Sequence, residues 1–157
     1  MVREAKTSGS RPEEYEFNFL DWPFYWLARV DRQYHSVLER VLARISLDIP
    51  SWRVLMILHS IGTASVSEVA EQSIVKLSTM TKIIQRMEAD GFVSSAPSEQ
   101  DRRVTMVTIT TRGEEKGRAA WVESEKIKDR VFADISPEDR VQMIDLLRRL
   151  SGELSQF

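Results

Sequence analysis

LSTMTKIIQRMEADGFV occupies residues 77–93, and its periodicity predicts a helix over 77–90 with two unlike sides. At about 100° per residue, Leu77, Met80, Ile83, Ile84 and Met87 fall on one side of it. Ser78, Thr79, Thr81, Lys82, Gln85 and Arg86 spread over an arc of about 160° on the other. Short hydroxyls lie near the N-terminal end and two cations further along. That inventory suits a helix in a major groove, where hydroxyls approach base edges closely and Lys or Arg reach guanine edges or phosphates. An ordinary amphipathic helix with a solvated face fits the same pattern, so the flanking segments have to decide.

Downstream, Gly91 ends the helix, and Phe92–Ala96 and Val104–Ile109 read as two strands. Their connection, Pro97–Arg103, is polar and carries Asp101, Arg102 and Arg103. A hairpin tipped with arginines, following such a helix, is the wing of a winged helix. The weakly hydrated guanidinium suits the deep negative potential of a narrow minor groove. A solvated turn with a charge pair is the alternative. Upstream, Ser65 and Glu68 stand in the S-x-x-E relation of a capping box, and Val66, Val69 and Ala70 give that helix a small apolar face up to about Ser73. A helix opening at Pro50 carries Val54, Leu55, Ile57, Leu58 and Ile61 before Gly62. A longer one opens at Pro23 and keeps helical spacing from Phe24 through Leu27, Val30, Tyr34, Val37, Leu38 and Val41 to Ile45.

The remaining chain explains why one copy is not enough. Thr110 or Thr111 can cap a helix bearing Ala120, Val122, Ile127, Val131 and Ala133, and Ser136-Pro137-Glu138-Asp139 opens another with Val141, Met143, Leu146, Leu147, Leu150 and Leu154. With the first helix, these stripes exceed what a small lobe of short helices can cover. A two-fold dimer built from both ends of the chain is expected.

Composition sets the outer bounds. A chain of 157 residues, 42% apolar, buries enough surface to fold without a disulfide or metal. The absence of Cys removes disulfide frameworks, Cys-based metal sites and thiol chemistry. The net charge of −2 hides a distribution: residues 76–118 hold 8 basic and 6 acidic side chains, while both flanks are acidic. No apolar run approaches the roughly 20 residues of a membrane span, so a cytoplasmic protein, nucleoid-associated when bound to DNA, is expected. An enzyme would need a reactive constellation, yet H-E-x-x-H, G-x-S-x-G and G-x-x-x-x-G-K-[ST] are all missing. The two histidines, His35 and His59, stand apart, with only Glu39 at ligand spacing from His35. No cofactor and no metal is expected.

In this order, the long helix, PSWRVLMIL (50–58), SVSEVAEQS (65–73), LSTMTKIIQRMEADGFV (77–93), DRRVTMVTITTRG (101–113) and the terminal helix pair resemble the MarR family of bacterial winged-helix transcription regulators. The resemblance covers residues 20 to 155. It implies a mostly α fold with a small β-hairpin wing: a flexible segment over 1–20, a helical dimerisation region over 21–47 and 112–157, and a winged helix-turn-helix DNA-binding lobe over 48–111. It further implies that Arg103 enters the minor groove with Asp101 bracing it, that Arg102 meets the backbone, and that Ser78, Thr79, Thr81, Lys82 and Arg86 face the major groove or its phosphates. The function implied is that of a homodimeric regulator, a repressor, on a pseudo-palindromic double-stranded operator with half-sites about 34 Å apart. Small aromatic or carboxylate effectors bind between lobes in the family, and Trp26, Arg29, Tyr34, His35, Trp52 and Arg53 supply that chemistry here. A winged helix used only for protein contacts is the competing reading. Two departures stand out: Lys76 occupies the position of a capping Ser or Asp, and Ile74 that of a turn Gly. The start of the recognition helix is therefore expected to rest on packing.

Overall fold

The computed structural model describes residues 18–157. The expected lead-in over 1–20 lies outside them save for its last three residues. Two compact units divide the chain after Tyr34. In the first, Asn18 caps a short 3-10 turn over Phe19–Asp21 by accepting from Leu20 N at 3.1 Å. Trp26 Nε1 donates to Leu20 O at 2.7 Å, Tyr25 meets the Phe19 ring edge-on at 5.0 Å, and Arg29 Nη1 donates to Tyr25 Oη at 3.1 Å. Phe19, Trp22, Phe24, Trp26 and Val30 remain exposed.

Helix α1 (Pro23–Ala43) begins in that unit and ends in the second. There follow α2 (Ile49–Ile61), β1 (Thr63–Ser65), α3 (Val66–Gln72), α4 (Leu77–Ala89), β2 (Val93–Pro97), β3 (Thr105–Ile109), α5 (Thr111–Val131) and α6 (Pro137–Leu154). Four of these helices begin at side-chain caps, each satisfying an amide that lacks a helical partner. Asp48 accepts from Ser51 N, Thr110 from Gly113 N and Ser136 from Asp139 N, while Ser65 and Glu68 close the full capping box. The three-stranded antiparallel sheet has the order β1-β3-β2. In the central strand, Val107 faces Ala64 on one side and Ser95 on the other. Strand β1 carries no sequence signal, since three residues are too few to show alternation.

The core of the second unit joins Val54, Leu55 and Leu58 of α2, Val69 and Ala70 of α3, and Met80, Ile83, Ile84 and Met87 of α4 to Val107. Each fully buried Leu or Met contributes about 1.5–3 kcal/mol through water exclusion. Leu77, expected on the buried side of α4, is exposed instead. It is the first residue of the helix, and the four residues that follow at helical spacing fill the space beneath. Helix α6 buries none of its residues, and Val141, Ile144, Leu146, Leu147, Leu150 and Leu154 all face outward.

Candidate nucleic-acid interface

The turn into α4 is built by backbone bonds in place of a glycine. Val75 N donates to Ala70 O at 2.9 Å and Ile74 N to Glu71 O at 3.0 Å, the pattern that closes a helix when the residue after the cap turns left-handed. Ile74 fills that position at φ +56°, a strained conformation for a β-branched residue. Its side chain is 91% exposed. The same pattern closes α4, where Gly91 takes φ +75° at no such cost. Lys76 offers no side-chain cap to α4, as its chemistry dictates.

Along α4, Ser78, Thr79, Thr81, Lys82, Gln85 and Arg86 are all exposed. Thr81 Oγ1 donates back to Leu77 O at 2.9 Å. Arg86, exposed on the same side, also reaches a neighbouring helix: its Nη2 donates to Asp48 Oδ2 at 2.5 Å and to Ser51 Oγ at 3.0 Å, so its guanidinium meets the start of α2. Glu88 tethers the wing, accepting from Ser95 Oγ at 2.7 Å and Ser95 N at 2.8 Å. The two bonds hold the Glu88 carboxyl below the usual carboxylate range.

The wing is closed at its base by Ser98 N donating to Val104 O at 2.8 Å, and at its tip by Val104 N donating to Asp101 O at 2.8 Å. Asp101 Oδ1 accepts from Arg103 N at 3.0 Å and Nε at 3.1 Å, and its Oδ2 accepts from Nη2 at 3.0 Å. The fork-on-carboxylate geometry restricts a long side chain that remains 91% exposed. Donation from the Arg103 side chain, then from its backbone, lowers the Asp101 pKa, and the pairing raises that of Arg103. The guanidinium, paired with Asp101, remains open to solvent. Arg102 stands exposed beside it.

Of the residues expected to form an effector site, Trp26, Arg29 and Tyr34 belong to the first unit and His35, Trp52 and Arg53 to the second. Arg53 Nη2 lies 2.8 Å from His35 Nε2, and Arg53 Nη1 donates to Ser73 O at 3.4 Å, so both are engaged at the turn before α4. Trp52 instead lines a cleft of about 860 Å³ with Leu55, Met56 and His59 of α2, Gln72 of α3, and Arg118 and Trp121 of α5. The Trp52 and Trp121 rings lie 6.2 Å apart at 53°. Trp121 and Arg118 escaped sequence reasoning because the expected apolar stripe of α5 ran through Ala120 and Val122; the signal available was the i, i+3 pairing of a cation and an indole. Among the described residues, no group of His, Asp and Glu could hold a metal, and no helix is long and apolar enough to cross a membrane.

A three-helix lobe with an exposed polar helix and an arginine-tipped hairpin defines a winged helix-turn-helix protein. The MarR family model matches residues 47–105. Over 102 residues, spanning 65% of this chain and 61% of the relative, the sequence is 53% identical to the HTH-type transcriptional repressor IacR of Pseudomonas putida. It is 31% identical to the transcriptional activatory protein BadR of Rhodopseudomonas palustris, over 100% of this chain and 92% of that one. The chain belongs to the MarR family of transcriptional regulators. Among solved structures, Bordetella bronchiseptica BpsR, whose DNA binding is regulated by 6-hydroxynicotinic acid, matches with a TM-score of 0.77 at 23% identity, covering 86% of this chain and 96% of that one. A mutant of E. coli MarR complexed with operator DNA matches with a TM-score of 0.74 at 17% identity, covering 86% and 97%.

Proposed function

We propose that the protein is a homodimeric repressor that reads a pseudo-palindromic duplex operator and responds to a small aromatic carboxylate. The observation that carries the reading is the Arg103 side chain, held by Asp101 yet extended into solvent. Beside it, α4 exposes Ser78, Thr79 and Lys82. Small hydroxyls near the start of α4 suit base edges, Lys82 and Arg102 suit phosphates, and Arg103 suits the adjacent minor groove. A repressor is favoured over an activator because the 53%-identical relative bears that name.

The apolar faces of α6 and of residues 19–30 support the dimer. Exposed patches of this kind mark association surfaces, and two-fold pairing is the commonest way to cover them. The domain boundaries follow: 48–111 reads DNA, and 21–47 with 112–157 pairs the copies. The effector belongs in the cleft between α2 and α5, where Trp52 and Trp121 offer ring faces and Arg118 a cation. A ligand there shifts DNA affinity only as far as it prefers one of two dimer shapes. The site of action is the bacterial cytoplasm.

Salt titration of binding to a duplex recovered from a random pool, with and without hydroxybenzoates, tests the reading. The proposal expects tight binding that weakens steeply with salt and changes when the ring acid is added. Weak binding with no preference among duplexes contradicts it.

A further inference from the structure

We infer that Arg86 is a positioning residue, and that Asp48, which lies off the reading face, sets operator affinity through it. The inference rests on the DNA-binding reading and assigns a different job to a cation on the recognition helix. Asp48 serves two helices at once. Its Oδ1 accepts from Ser51 N at 2.9 Å, capping α2, and its Oδ2 accepts from Arg86 Nη2 at 2.5 Å, in the last turn of α4. Ser51 Oγ, on a residue only 4% exposed, receives the same nitrogen at 3.0 Å. The guanidinium is therefore seated at the rim of the core, against the first turn of α2.

The seat is electrostatically favoured. Burial pushes the Asp48 carboxyl up, but the Ser51 side chain and backbone and the Arg86 charge together outweigh it and leave the pKa below the ordinary value. On the other side of the same turn, Glu88 grips Ser95 of β2. The recognition helix is thus held at its C-terminal end by two charge-assisted clamps, one to α2 and one to the wing. Its N-terminal end has no side-chain cap and follows the strained Ile74. With α4 seated on the core through Met80, Ile83, Ile84 and Met87, the clamps at its C-terminal end adjust its tilt, which decides how deeply Ser78 and Lys82 enter the groove. Arg86 sets that tilt; a phosphate would have to pull it out of its seat.

Asp48→Asn separates the two jobs, since Asn caps a helix as well as Asp does but lacks the charge that holds Arg86. Removing a negative charge near a polyanion ordinarily raises affinity, so the sign is diagnostic. The positioning role predicts that Asp48→Asn and Arg86→Ala each weaken binding to the selected operator about three- to tenfold. The slope of log K against log salt stays at the wild-type value, because no phosphate contact is lost. Arg86→Lys, which still reaches Asp48, keeps most of the affinity. The double variant Asp48→Asn/Arg86→Ala binds no worse than either single one. Circular dichroism and unfolding midpoints confirm that each variant is folded.

Tighter binding by Asp48→Asn overturns the inference, as does a slope reduced by about 0.9 in Arg86→Ala, which would make Arg86 a phosphate ligand. If the wild-type chain selects no duplex at all, the operator reading itself falls, an outcome distinct from either of these.

Discussion

Replacing Ile74 by Gly should stabilise the protein, although it deletes a large apolar side chain. Ile74 occupies the left-handed position after α3 at φ +56°, which costs an L-residue about 1–2 kcal/mol. The side chain is 91% exposed, so its removal forfeits almost no burial. Glycine loses more unfolded-state freedom on folding, about 0.5–1 kcal/mol. The balance is a gain of about 0.5–1 kcal/mol, or a Tm higher by about 1–4 °C for a chain of this size. Urea unfolding at one fixed protein concentration measures it, since the proposed dimer would make stability depend on concentration. Ile74→Ala is the control: it keeps the left-handed strain and gains nothing. A lower midpoint for Ile74→Gly, with an unchanged m-value, would refute the strain argument and mean that the isoleucine is held by contacts worth more than its backbone conformation costs.

Arg103→Ala should weaken operator binding by about 1–3 kcal/mol, roughly 5- to 150-fold, in gel shifts, with the dimer intact by sedimentation. Gly113→Ala places a Cβ 2.0 Å from Phe92 O and 2.9 Å from Ile109 Cγ1. A backbone shift must follow, costing up to about 3 kcal/mol against a helix-propensity gain of about 1, and thermal unfolding should show a Tm lower by about 4–8 °C. The Asp48 carboxyl sits below its ordinary pKa of 3.8 in the folded chain. Its contribution is therefore complete above that ordinary value and is lost as pH falls through the lower folded value. The stability difference between wild type and Asp48→Asn, followed by urea unfolding, should stay constant from about pH 7 to 5 and shrink below about pH 4.

Local chemistry made much of the fold readable from the chain. The S-x-x-E box at Ser65 and Glu68, the Ser136 cap and the stop at Gly91 are governed by near neighbours in sequence and are found in place, and of the two candidates Thr110 and Thr111 it is Thr110 that caps α5. The wing was readable from its two strands and the polar, arginine-bearing connection between them, whereas the pairing of Asp101 with Arg103 was implied by the family resemblance. What escaped depends on contacts across the fold. Arg86 lies on the polar side of α4, as its position in the helical period requires, but Asp48, 38 residues earlier, decides where its guanidinium goes. Leu77 shares the apolar period of α4 yet lies at its first turn, where the core does not reach. Trp121 reaches Trp52 only because α5 packs on α2, a relation no spacing within either helix reveals.

The most direct test is to incubate the purified protein with random duplexes and sequence what it retains. Two inverted half-sites, centred about ten base pairs or one helical turn apart, are the expected result, and their recovery should disappear in a variant lacking both Lys82 and Arg103. Retention of duplexes with no shared sequence, or identical recovery by that variant, would contradict the claim that α4 and the wing read DNA.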